Sequence, residues 1–171
     1  MSTGPIPTRA GLLTMRPEAP DGSDEPFLFH LFASHKMPDM AFMPLDQAGR
    51  EQLLRIQYRS MTAAYRGQYP NARFDIVALD GRPAGRLITD TNLERVYYVD
   101  IAMLPEIQAG GVATALMTAV LDEPRRLGIP GRVKVLSSNV ASLRLCEKAG
   151  FVVAGESPPY VDLEWRAPAA E

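Results

Sequence analysis

At 171 residues the chain fits one domain with a sizeable core, and its 46% hydrophobic and 22% charged content is that of an ordinary soluble globular protein. A formal net charge of -2 supplies no broad basic surface, which argues against a nucleic-acid partner, and no apolar run approaches the roughly eighteen residues of a membrane span. The single cysteine, Cys146, excludes an internal disulfide and agrees with a reducing cytoplasm, while the two histidines, His30 and His35, make no case for a metal site.

In chain order, residues 1–10 carry Pro5 and Pro7 among small polar residues, read as a disordered tail, and lack the apolar segment of a secretory signal. Leu12 to Arg16 reads as a short strand stopped by Pro17, and Phe27 to Phe32 as a short helix. His35 to Pro44 looks irregular because of Pro38 and Pro44. Asp46 is the expected N-cap of a long helix reaching about Tyr65, with Leu54, Tyr58, Met61 and Tyr65 at helical spacing. Phe74 to Leu79 and Arg86 to Thr89 flank Asp80-Gly81, a two-residue hairpin signal. Val96 to Leu104 is a longer strand ending at Pro105.

A helix follows from Val112, with Leu116, Ala119 and Val120 on one side, and Pro124 ends or kinks it. Gly131 to Leu136 is a strand. Ser142, Leu145, Cys146 and Ala149 mark one face of a further helix, which Gly150 caps. Phe151 to Gly155 and Tyr160 to Trp165 complete about seven strands. Hairpins followed by a strand–helix–strand crossover predict a single α/β domain over residues 11–167, with a mixed sheet, helices on both faces and a C-terminal tail at 168–171.

Between the Val96–Leu104 strand and the next helix stands Gln108-Ala109-Gly110-Gly111-Val112-Ala113-Thr114. A strand that turns through glycines into a helix aims several backbone N–H groups one way at the positive end of the helix dipole, an anion site. It lacks the Lys-Ser/Thr of a triphosphatase phosphate loop and the three spaced, early glycines of a dinucleotide fingerprint.

The turn resembles the Gln/Arg-x-x-Gly-x-Gly/Ala segment of GCN5-related N-acetyltransferases (GNAT), and the order of elements is similar to that family's fold. Asn139-Val140-Ala141-Ser142-Leu143-Arg144-Leu145-Cys146-Glu147-Lys148-Ala149-Gly150-Phe151 resembles the family's Asn-x-x-Ala-x-x-Leu-Tyr-Glu-Lys-x-Gly-Phe segment, which also follows the fifth strand. Thr14 to Pro17 and Ile101 to Glu106 are similar to its first-strand and pre-turn segments, so the likeness runs from about Leu12 to Trp165.

The resemblance implies direct transfer of an acetyl group from acetyl-CoA to a primary amine. Backbone N–H groups across Gln108, Ala109, Gly110, Gly111, Val112, Ala113 and Thr114 would bind the pyrophosphate. The backbone of Ile101, Ala102 and Met103 would pair with the pantetheine arm and polarise the thioester carbonyl, and Asn139 would bond the cofactor arm or a water. Asp100, the one acid inside an apolar strand, is the candidate base for the attacking amine. It is equally suited to pairing with an arginine such as Arg86.

The sequence departs from the family at two points. Cys146 stands where the family carries its tyrosine general acid. Either its thiol donates the proton or Cys146 is a core residue and solvent, the proton released by the amine, or Tyr160 serves instead. The turn also lacks a basic residue, with Gln108 and Gly110 at the usual positions, so Arg144 or Lys148 is expected to meet the CoA phosphates. Phe29, His30, His35, Tyr58, Tyr65 and Tyr69 mark the acceptor side. A small-molecule amine is favoured over a protein amine, a homodimer is compatible with the family, and the alternative is a non-catalytic acyl-CoA-binding module.

Overall fold

Ile76 and Val77 are neighbours on one strand, both fully buried, yet they belong to different cores, because successive side chains of a strand face opposite sides of the sheet. The computed structural model describes residues 4–107 and 111–168. Among them are β1 (Ile6–Thr8), β2 (Gly11–Pro17), β3 (Arg73–Leu79), β4 (Arg82–Thr91), β5 (Val96–Met103), β6 (Gly131–Leu136), β7 (Val152–Ser157) and β8 (Tyr160–Trp165). The helices are α1 (Glu25–Met40), α2 (Gln47–Gln68), α3 (Val112–Val120), α4 (Asp122–Leu127) and α5 (Val140–Lys148). The strands form one sheet in the order β1-β2-β3-β4-β5-β6-β8-β7. Every pairing is antiparallel except β5 with β6.

One face carries the larger core, in which Leu13, Val77, Leu87 and Tyr98 meet Val112, Leu116 and Val120 of α3 and Cys146 of α5. The other face packs Ile76 against Leu28 of α1 and Tyr58 of α2, with Phe29 and Phe32 at their edge. The expected mixed sheet with helices on both faces is present.

Local chemistry explains most of these elements. Asp46 caps α2, its Oδ1 accepting from the Gly49 N–H at 2.8 Å. Asp80 and Gly81 both take positive φ, 49° and 77°, as a two-residue hairpin turn needs. Pro124 falls in the first turn of α4, after the break at Leu121 that ends α3.

Three expectations are corrected. The segment read as a disordered tail contains β1, which pairs Ile6 with Leu13 and sets Ile6 against the core; Pro7 is tolerated because β1 is an edge strand. The sheet therefore has eight strands. The short helix at Phe27–Phe32 is α1, which continues through the supposedly irregular His35 to Met40 with Pro38 inside it. Burial of Leu28, Leu31 and Met40 along this helix offsets the hydrogen bond that Pro38 cannot make. The second hairpin strand begins at Arg82 rather than Arg86, because a bulge near Val77–Ala78 absorbs the register change. No helix of the described residues is long and apolar enough to cross a membrane.

Because β1 to β5 are successively antiparallel, β1, β3 and β5 run the same way. The turn at Arg9-Ala10, the turn at Asp80-Gly81 and the end of β5 at Met103 thus reach the same edge of the sheet.

Candidate active site

At that edge the sheet opens. β5 and β6 pair only through Val96↔Gly131, Tyr97↔Arg132 and Tyr98↔Val133. Beyond Tyr98, β5 stays with β4 to Met103 while β6 stays with β8 to Leu136. Ile88 faces Asp100 and Thr89 faces Tyr98, which leaves Val99 as an extra residue. Such a bulge bends its strand and increases local twist. The parting of β5 from β6 begins there.

The hydrogen-bond phase decides what the opening presents. The Leu104 N–H donates to the Ala84 carbonyl at 2.8 Å. In an antiparallel ladder, Ala102 and Asp100 then turn their backbone groups toward β4, and Ile101 and Met103 turn theirs toward the opening. Ala102, expected to share the open edge, is corrected to the closed side. His35 of α1 lies with Nε2 2.8 Å from the Met103 carbonyl oxygen, so this nitrogen is the donor. The groups left at the opening are the N–H and C=O of Ile101 and the N–H of Met103.

Past the end of β5 the chain leads into the start of α3. Its N-cap, Gly111, has φ 77°, and space within 4 Å of a Cβ there is empty, so conformation and not crowding calls for glycine. Ala115 N–H to Gly111 C=O, 2.9 Å, is the first bond of the helix. The N–H groups of Val112, Ala113 and Thr114 precede it and have no partner within the helix. Among the described residues no side chain caps this end, and its first turn holds no acid. These donors suit an anion, and the open edge of β5 suits an extended chain with amide groups. Gln108, Ala109 and Gly110, expected in the same turn, lie outside the described residues.

The sequence profile of the Acetyltransferase (GNAT) family matches residues 41–151, about two thirds of the chain. The chain belongs to the GNAT family. Among solved structures, it is similar to the PaiA N-acetyltransferase from Thermoplasma acidophilum in complex with coenzyme A, with 17% identity and a TM-score of 0.65 over 91% of this chain and 99% of that one. RimJ of Mycobacterium smegmatis in complex with CoA-disulfide gives 16% and 0.67, over 98% and 88%. The ribosomal-protein-S18-alanine N-acetyltransferase of Escherichia coli gives 19% and 0.62, over 93% and 96%. No curated protein matches the chain by sequence.

Within this GNAT fold, Asp100 lies one residue past the bulge and faces the α2 side. Its Oδ2 accepts from Arg86 Nε at 2.9 Å and Nη2 at 2.7 Å, and the Arg86 side chain is only 9% exposed. The sequence offered Asp100 either as a base in an apolar strand or as the partner of Arg86; the structure places it with Arg86. Both bonds fall on Oδ2, which leaves Oδ1 for another donor. The Arg86 guanidinium also stands 5.8 Å from the Tyr65 ring centre. Burial pushes the Tyr65 phenol up to about 12, with the Asp100 carboxylate adding to the rise, so it stays protonated at neutral pH. Tyr69 stacks on Tyr97 at 5.8 Å. Tyr160, 43% exposed, opens β8 opposite Leu136 and lies near enough to Tyr65 to influence it.

Cys146 is placed elsewhere. It is 2% exposed, packed in the core between α5 and the sheet, and burial pushes its thiol up to about 11. A thiol so enclosed fits the packing role, the one of the two readings the sequence left open that does not make it a proton donor. Asn139 is the N-cap of α5, with Oδ1 3.1 Å from the Ser142 N–H; its amide nitrogen remains a donor. Arg144 is exposed on α5 and takes part in no ion pair among the described residues. Of the aromatics assigned to the acceptor side, Tyr58 is core, 3% exposed, with its hydroxyl on Glu25 at 2.9 Å. Sequence reading missed Val99, His35 as a holder of Met103, and Tyr97. A helix continuing through Pro38 would have signalled His35; no residue type signals the bulge.

Proposed function

We propose that the protein is an acetyl-CoA-dependent N-acetyltransferase acting on a primary amine, with a small-molecule amine favoured over a protein amine. The observation that carries this reading is the parting of β5 from β6 together with the start of α3, which has no side-chain cap among the described residues. One binds an extended amide-bearing arm and the other an anion, and CoA has both. When bound, acetyl-CoA supplies an activated acetyl group as a thioester.

The chain's own groups have separable tasks. Val112, Ala113 and Thr114 offer backbone N–H donors to phosphate, with Gly111 allowing close approach. Ile101 C=O and N–H hold the arm as a neighbouring strand would. The Met103 N–H, fixed by the His35 bond to its own carbonyl, is aimed where negative charge develops on an acyl oxygen. Asn139 Nδ2 and Arg144 lie along the same ligand. On the other side of β5, Asp100 Oδ1 accepts the proton of the acceptor ammonium, directly or through one water, while Arg86 holds Oδ2. Tyr160, at the wet mouth of the opening, is the group available to protonate the departing sulfur.

Calorimetric titration with acetyl-CoA, with ATP for comparison, tests the donor. A panel of amines followed by thiol release then tests the acceptor. Saturable one-site binding of acetyl-CoA and none of ATP is expected. Absence of binding at millimolar acetyl-CoA sinks the proposal.

A further inference from the structure

The glycine turn brings a polyanionic ligand no cation of its own. Gln108 and Gly110 occupy its usual basic positions, α3 reads VATALMTAV without a charge, and the first basic residues beyond are Arg125 and Arg126 at the far end of α4. Resting on CoA as the ligand of this site, we propose that Arg9 supplies the missing charge and pairs with a phosphate of CoA.

Three observations converge on Arg9. The turn between β1 and β2 arrives at the sheet edge where β5 ends and α3 begins, and β1 packs against α3. Pro7, Thr8, Arg9 and Gly111 line one open recess of about 590 Å³, so Arg9 and the N-cap of α3 border the same space. Arg9 also takes part in no ion pair among the described residues.

The turn that carries Arg9 is held in place before any ligand arrives. Thr8 Oγ1 donates to the Gly11 carbonyl at 2.7 Å and accepts from the Ala10 N–H at 3.1 Å. The Leu12 N–H donates to Asp80 Oδ1 at 2.8 Å, and the Asp80 N–H returns a bond to the Leu12 carbonyl at 2.9 Å. Gly11 has φ 140°, and a Cβ there would lie 2.3 Å from Asp80 Oδ2. Only glycine lets the two turns lock together. A cation on a fixed turn loses less entropy on pairing than one on a mobile tail, which gives the N-terminal hairpin a binding role.

Calorimetry on the full chain tests this, using wild type, Arg9→Ala and Arg9→Lys with CoA and with 3′-dephospho-CoA. Arg9→Ala is expected to raise the CoA dissociation constant roughly fivefold to thirtyfold. Arg9→Lys should recover part of the loss, since it keeps the charge without the planar fork. Affinity of Arg9→Ala should also fall less steeply with salt. The thermal transition should not move, because Arg9 is exposed. If the loss vanishes with 3′-dephospho-CoA, Arg9 meets the 3′-phosphate; if it persists, Arg9 meets the pyrophosphate. Equal CoA binding by Arg9→Ala and wild type overturns the proposal. A wild-type chain that binds no CoA overturns the cofactor reading itself, and Arg9 falls with it.

Discussion

Replacing Asp100 with asparagine separates the ion pair that the structure shows from the proton-accepting role proposed for the same carboxylate. Asn keeps the shape and an acceptor oxygen but removes the charge facing Arg86, which is 7% exposed. Wild type directs two charge-assisted bonds, at 2.9 and 2.7 Å, onto Oδ2. The Asp100 side chain is 22% exposed, so solvent screens part of the pair. The bonds together are worth about 1.5–3 kcal/mol here, below the full cost of stripping a deeply buried pair. For a chain of this length that corresponds to roughly 3–12 °C in Tm. Removing the proton acceptor should also lower turnover of the folded enzyme by about 10²–10⁴-fold. Thermal unfolding and thiol-release kinetics read the two effects apart. A double-mutant cycle with Arg86→Met should show coupling of about 1.5 kcal/mol or more in stability. An unchanged Tm for Asp100→Asn refutes the ion pair. Turnover within about threefold of wild type, at the lowered Tm, refutes the proton-accepting role and leaves Asp100 as the holder of Arg86.

Cys146→Ala should leave turnover within about twofold and lower stability by about 1–2 kcal/mol, the signature of a packing residue. Because burial pushes its thiol up to about 11, a disulfide reagent at pH 8 should label wild type only on unfolding; prompt labelling of the native chain contradicts the placement. Asp24→Ala should lower stability by about 2–3 kcal/mol, since a carboxylate 5% exposed loses Arg16 at 2.6 and 2.7 Å and the Ala19 N–H at 2.8 Å. The Arg16 bonds hold the Asp24 carboxyl below its ordinary value. Its stabilisation is therefore complete above the unfolded pKa of about 3.9 and is lost as pH falls through the folded one. Acid unfolding curves of wild type and Asp24→Ala should converge at the lowest pH, and curves that stay parallel exclude this account. His35→Ala frees the Met103 carbonyl and should raise KM for acetyl-CoA roughly threefold to tenfold, with His35→Gln recovering part; an unmoved KM would detach α1 from the donor site.

What the sequence disclosed depended on whether residue type alone forces the backbone. Asp80-Gly81 and Gly111 stand where positive φ is needed, and Asp46 where a helix lacks N–H partners, so these were legible. Pro5, Pro7 and Pro38 misled, because proline's cost is decided by the partner it faces: an edge strand for Pro7, a helix with well-buried neighbours for Pro38. Asp100 stood out as the one acid in an apolar strand, and Arg86, offered as its partner, does pair with it from the neighbouring strand 14 positions away. Which of Ile101, Ala102 and Met103 faces the opening depends on ladder phase. A bulge at Val99 sets that phase with no distinctive side chain.

The bulge is thus the hinge of the whole functional reading, and it can be removed. Tyr98 and Ile101 both pack on the α3 side, and Val99 with Asp100 spans the two positions between them where strict alternation allows one. Deleting Val99 restores regular alternation without turning Ile101 or Met103 off the core. The straightened β5 could then continue beside β6, with its open backbone groups satisfied by protein. The crossover through α3 requires β5 and β6 to be parallel, so the sheet order survives while the opening closes. The expected protein unfolds cooperatively and has the circular-dichroism spectrum of wild type, but does not bind acetyl-CoA by calorimetry. Phosphate donors at the start of α3 are left intact, so any residual binding should be weak and abolished by salt. Undiminished acetyl-CoA affinity in a folded deletion variant would show that the parting of the strands comes from elsewhere and that the arm does not lie along Ile101.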